Sequence, residues 1–202
     1  MIIRKLFEFN GQHIVRNCSS YRCKYAIHAH TYKVELFFTS KGFDNAQMIL
    51  DFGLIKGSIK EFIKSFNNSF TFWNKENKEF KEFIKNNYLK WVEIPTNPSA
   101  ESFSLLFFKV IDNIIKATYF RNNEKDVSLY SVRVHETNTG YAQSFREDLK
   151  IINLNLNDIK FSDKVREEWE NPFMYAKLLY YISNKNVVKP FSNPYVKLQI
   201  DG

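Results

Sequence analysis

The chain has 202 residues, 44% of them hydrophobic, and 29 Lys and Arg against 22 Asp and Glu give a net charge of +7. This is enough apolar material for one packed domain with an appendage. With no apolar run of about eighteen residues and no leader ending in a small-residue cleavage site, the expectation is a cytoplasmic protein that neither crosses nor anchors in a membrane.

Two cysteines, Cys18 and Cys23, are too few for the disulfide framework of a small secreted domain. The positive charge suits a polyanionic small substrate. The lysines are scattered among Asn, Ile and Phe and no aromatic and basic surface is legible, so a nucleic-acid partner is not expected.

Residues 2–9 form an apolar, β-capable run, and residues 10–27, with Gly11, Asn17, both cysteines and several basic side chains, read as a functional loop. From His30 to residue 38 the chain alternates, with Tyr32, Val34, Leu36 and Phe38 on one face, as a half-buried strand does. Behind Asp51, the residues Ile55, Ile59, Phe62, Ile63 and Phe66 recur at helical spacing with lysines outside. A second helix is expected to start at Asn97-Pro98-Ser99-Ala100-Glu101, with Asn97 as cap and Pro98 at the first helical position, and to run through Phe103, Phe107, Val110, Ile111 and Ile114.

Residues 129–136 alternate again, with Tyr130, Val132 and Val134 on one face and Glu136 at the end, and 141–146 suit a return strand. Strand, strand, helix, helix, strand, strand predicts an α+β fold, an antiparallel sheet with helices on one side. Residues 147–202, with a helix-like stretch at 165–170, an aromatic run at 175–181 and Pro190 and Pro194, break the pattern and read as an extension of unknown role.

His28-Ala29-His30 opens a strand, so both imidazoles project from one surface. Two such ligands plus His13 would leave a fourth tetrahedral position open on zinc, although the spacing alone fits a pair of surface histidines as well. Cys23, between Arg22 and Lys24, is either a thiol whose neighbouring cations favour the thiolate or a bystander in a loop. Glu136 fits either a planar ligand offering two adjacent N–H groups or an ordinary lysine or arginine partner, and His135 points the other way.

Taken together, the segment at 9–13 ending in His13, Cys23, His28-Ala29-His30-Thr31-Tyr32-Lys33-Val34, Met48-Ile49-Leu50-Asp51-Phe52, Asn97-Pro98-Ser99-Ala100-Glu101 and His135-Glu136-Thr137 resemble, in this order over residues 1–146, one family. It is that of 6-pyruvoyltetrahydropterin synthase and the 6-carboxytetrahydropterin synthase of the queuosine pathway. The resemblance implies a tunnelling fold, in which a four-stranded antiparallel sheet carries two helices on one face. Sheet edges then join subunits into a homo-oligomeric barrel, a hexamer, with active sites at subunit interfaces.

The resemblance further implies zinc on His13, His28 and His30, Cys23 as the catalytic thiol, and Glu136 with Thr137 as the pterin anchor. The implied reaction is lyase conversion of 7,8-dihydroneopterin triphosphate to 6-carboxytetrahydropterin or 6-pyruvoyltetrahydropterin. This chain departs from the family in Ala29, where glycine is usual, and in Asn67-Asn68, where the family carries an Asp-His pair that shares proton transfer with the cysteine. An amide cannot accept and return a proton near neutral pH as imidazole does. The second departure therefore leaves a zinc- and pterin-binding paralogue with lost or altered activity as the alternative.

Overall fold

The structure is a computed structural model and describes residues 1–184 and 187–199. In chain order the elements are β1 (Ile3–His13), α1 (Tyr21–Tyr25), β2 (His28–Thr39), α2 (Ser58–Lys64), β3 (Ser69–Trp73), α3 (Lys78–Asn87), β4 (Trp91–Ile94) and α4 (Ala100–Lys116). There follow β5 (Thr118–Tyr119), β6 (Ser128–His135), β7 (Tyr141–Phe145), β8 (Lys160–Phe161), α5 (Asp163–Glu167), α6 (Met174–Ser183) and β9 (Phe191–Ser192). No helix among the described residues is long and apolar enough to cross a membrane.

Seven strands form one sheet in the order β7-β6-β2-β1-β3-β4-β8. The four antiparallel strands expected from sequence are its β7-β6-β2-β1 half, but the sheet as a whole is neither four-stranded nor purely antiparallel. β3 runs parallel to β1 and β4 parallel to β3, while β8 closes the far edge antiparallel to β4.

Alternation drives the central pair. Phe9, Gly11 and His13 of β1 are buried while Glu8, Asn10 and Gln12 are exposed, and Tyr32, Val34, Leu36 and Phe38 of β2 are inaccessible to solvent. This face packs against α2 and α4, the two helices expected there, in a core that includes Phe62, Phe66, Phe103 and Phe107. The side chain of Ile55, which the spacing puts on the same helix face, lies outside what the structure describes. That helix also begins later than the spacing suggests, since residues 52–56 form a 3-10 turn and α2 starts after Gly57.

Three differences bear on the site. β1 continues through Gly11 to His13, because His13 pairs with His28 and Gly11 with His30 across the ladder, so the loop is shorter than residues 10–27. Asn97 is not the cap of α4: Ser99 caps it, accepting from the amide of Ser102, and the helix starts at Ala100. A β-bulge between β2 and β6 offsets the register at Phe37 and Phe38, which turns Tyr130 outward and leaves Leu129, Val132 and Val134 buried. α3 packs on a smaller cluster formed by Ile14, Phe70, Phe72 and Ile84.

Candidate active site

Three cross-strand pairs stack along one face of the β1–β2 ladder: Phe9 with Tyr32, Gly11 with His30, and His13 with His28. The first pair is a stacked aromatic contact, 4.8 Å between ring centres. Gly11 keeps the second pair open. A β-carbon there would come 2.9 Å from the Phe9 ring and 3.4 Å from that of Tyr32, so a side chain at this position would disturb the stack of Phe9 on Tyr32.

His13 and His28 stand 4.3 Å apart between ring centres, and His30 is 5.2 Å from each. One ring nitrogen from each lies within 4.8 Å of the others, a bound wider than the roughly 3.3 Å between two nitrogens on one tetrahedral zinc, so the rings would draw together around the ion. Backbone carbonyls orient two of the rings. Nδ1 of His13 lies 2.6 Å from the Pro98 carbonyl and Nδ1 of His28 3.0 Å from that of Ala26. With a proton on Nδ1 donated to the carbonyl, each Nε2 keeps its lone pair for the cluster.

Burial lowers the pKa of His13 to about 4; the Pro98 carbonyl opposes this and the other two histidines add to it. Burial also lowers that of His30, against the opposing charge of Glu136. Neutral imidazoles result, the form that binds metal.

Glu136 faces the same opening, with Oε1 3.5 Å from Nε2 of His13 and 3.8 Å from Nε2 of His30. Three imidazoles whose ligand atoms gather on one opening make a donor set that a divalent cation satisfies, so the residues present fit zinc. Tyr32 completes the floor. Its hydroxyl is 3.2 Å from both ring nitrogens of His13 and donates to Glu136 at 3.4 Å. Burial first, then the charge of Glu136, its hydrogen bond and the charge of Cys23, hold that phenol far above the ordinary range.

Cys23 is not among the clustered ligand atoms. It sits half-buried on α1, whose cap Ser20 accepts from the Cys23 amide, and its carbonyl accepts from the amide of Val15. Thr137 turns its hydroxyl to the amide of Gly140 at 3.0 Å and so shapes the turn behind Glu136. His135 is on the opposite face, as its position in the strand predicts, where Nε2 is 2.9 Å from buried Glu35, which also pairs with Arg4 and Arg133.

Asn67 and Asn68 are not brought to the cluster. They bind the backbone of Asn10, Asn67 Oδ1 accepting from its amide at 3.0 Å and the Asn68 amide donating to its carbonyl at 2.6 Å. That is three residues, roughly 10 Å of strand, before His13.

The parts that the sequence reading did not find are Tyr32 as a site residue, the Pro98 carbonyl behind His13, and the contacts of Arg16. No residue spacing signals a backbone carbonyl, and Tyr32 reads from the pattern only as one more inward strand residue.

The profile of the family described as 6-pyruvoyl tetrahydropterin synthase matches residues 2–147. The 6-carboxy-5,6,7,8-tetrahydropterin synthase of Helicobacter pylori J99 is 40% identical over 183 residues, which span 89% of this chain and 92% of that protein. The protein of that name in H. pylori 26695 aligns with the same identity and spans. Among solved structures, an uncharacterized protein of Wolinella succinogenes matches with a TM-score of 0.54, covering 72% of this chain and 98% of that one at 16% identity. The 6-pyruvoyl tetrahydropterin synthase of Plasmodium vivax matches at 0.52 over the same shares at 18% identity. Such identities speak for the fold, while the profile and the H. pylori relatives speak for descent: the chain belongs to the 6-pyruvoyl tetrahydropterin synthase family.

Proposed function

We propose that this chain is a zinc-dependent lyase that converts 7,8-dihydroneopterin triphosphate to 6-carboxytetrahydropterin, the synthase step of the queuosine pathway. The observation that carries the reading is the convergence of three histidines and Glu136 on one opening, with His13 and His30 held neutral by burial. The product is chosen over 6-pyruvoyltetrahydropterin on the names of the two H. pylori relatives.

His13, His28 and His30 would hold zinc, whose positive charge would make the hydroxyls of the substrate side chain more acidic. The residues do the rest. Glu136, backed by the Thr137 turn, accepts the two adjacent N–H groups of the pterin ring; Cys23 takes and returns the side-chain proton; Arg22 and Lys24 beside it give the triphosphate a cationic environment. Homo-oligomerisation through sheet edges, to a hexameric barrel, belongs to the same proposal.

One observation favours a second reading, a zinc- and pterin-binding paralogue with little turnover: Asn67 and Asn68 replace the family's Asp-His pair and are engaged with the backbone of Asn10. Incubating the zinc-loaded protein with 7,8-dihydroneopterin triphosphate and following products by mass separates the two. Acetaldehyde, inorganic triphosphate and 6-carboxytetrahydropterin, formed with uptake of one water and lost in Cys23→Ala, are the expected result. Bound but unchanged substrate with one zinc per chain would instead establish the paralogue.

A further inference from the structure

The loop between β1 and β2 carries Cys23, and its own short helix has no buried residue. Two neighbours just past the end of β1 hold it: the Val15 amide donates to the Cys23 carbonyl at 3.0 Å, and Arg16 binds the residue after the cysteine. The Asn97 side chain grips the Arg16 backbone from both sides, Oδ1 accepting from its amide at 2.9 Å and Nδ2 donating to its carbonyl. The guanidinium then divides its donors. Nε gives to Oε1 of Glu76 at 2.7 Å, and a terminal nitrogen gives to the carbonyl of Lys24, the residue after Cys23, at 3.1 Å. The cation lies 5.0 Å over the ring of Phe80, and the Glu76 side chain is only 5% exposed.

The next residue after Asn97 is Pro98, whose carbonyl orients His13. One dipeptide therefore fixes a proposed zinc ligand through its backbone and the cysteine loop through its side chain.

We propose that Arg16 is a positioning residue for Cys23: through Asn97, Glu76 and the Lys24 carbonyl it fixes the thiol relative to the histidine cluster. The inference rests on the reading of Cys23 as the reacting thiol. Lysine cannot replace arginine here, because a point ammonium lacks the fixed fork that serves a carboxylate and a carbonyl at once.

In the zinc-loaded, full-length protein, Arg16→Ala lowers kcat by about 10²-fold, the cost typical of an ångström-scale misplacement, with zinc content unchanged. Arg16→Lys, which keeps a cation for Glu76, restores thermal stability but leaves kcat depressed. A second readout needs no turnover. With Cys18→Ser making Cys23 the sole thiol, alkylation by iodoacetamide at about pH 9.5, above the ordinary thiol pKa, runs severalfold faster in Arg16→Ala because the freed loop opens more often.

Wild-type kcat and alkylation in Arg16→Ala overturn the proposal. So does recovery of both kcat and stability by Arg16→Lys, which would make the arginine a structural support alone. If the wild type shows no Cys23-dependent turnover, the proposed reaction falls while alkylation still decides: faster modification supports positioning and an unchanged rate ends it.

Discussion

The three histidines differ in what each would leave behind. His13 is 1% exposed, wedged against Tyr32, Phe103 and the Pro98 carbonyl, whereas His28 and His30 are partly open. Removing His13 costs stability with or without metal, since it empties a packed site and orphans a buried carbonyl, about 2–4 kcal/mol. Removing His28 costs only the stabilisation that metal contributes, about 4 kcal/mol when zinc is a thousandfold above its Kd. Urea unfolding with and without a chelator checks this. Chelation is expected to destabilise the wild type and to leave His28→Ala unmoved, and metal-free His13→Ala is expected to lie below both. Equal metal-free stabilities for the two variants would refute the distinction. The pair His28 and His30 was legible because strand side chains repeat every second residue. The third ligand became compelling only with the register that sets His13 opposite His28, which no single stretch of sequence encodes.

Elements were legible where one face is wet. β1 announces itself by a bounded apolar run, β2 by alternation, and α4 by apolar periodicity. β3 did not, because its residues 69–72 are all buried and a strand covered on both faces has no alternation to detect. The cap of α4 was misjudged by two residues because Asn97 and Ser99 both suit an N-terminus, and only the fold shows that Asn97 is occupied by Arg16.

A buried charge on α4 gives this scale its test. Asp112 accepts from Arg146 at 2.6 and 2.9 Å and pairs with Lys116 at 2.7 Å, joining the helix to the segment behind β7. Burial alone would raise its pKa, but the hydrogen bonds and charges of Arg146 and Lys116 outweigh that and lower it. A depressed carboxylate pKa means stability that is present above the unfolded value of 3.8 and lost as the pH falls through the folded one. Asp112→Asn is therefore expected to cost about 1–3 kcal/mol at neutral pH, near the lower end because Arg146 is half exposed. In urea unfolding at pH 7 and near pH 3 the gap to wild type narrows in acid; a gap that stays constant would mean the cost is packing, not charge.

Over the whole molecule, the family profile ends before the physical core does, whereas the H. pylori alignments, over 89% of this chain, continue past residue 147. The profile stops at residue 147, yet Leu154, Leu156, Ile159, Phe161, Val165, Trp169, Met174, Tyr175 and Leu178 are buried in the same cluster as β2 and α4. Polar contacts tie them in: the Trp169 indole donates to Ser65 at 3.0 Å, and the Tyr175 hydroxyl to the Leu156 carbonyl at 2.8 Å. Phe62 of α2 meets both Phe161 and Tyr175. Sequence reading could set these residues apart because their periodicity changes, but it could not see that they cover α2 and α4, since the exposed side of a helix is defined only by what packs on it.

Each large side chain buried there is worth roughly 1.5–3 kcal/mol, so nine of them together are at least comparable with the 5–15 kcal/mol net stability of an ordinary domain. A chain cut after residue 147 is thus expected to lose cooperative unfolding and bind a hydrophobic dye, although every proposed site residue, His13 to Thr137, remains in it. Calorimetry and dye fluorescence on the truncated protein decide the matter. A soluble product that melts cooperatively near the full-length temperature and holds one zinc per chain would show that residues 147–202 merely decorate a core complete without them.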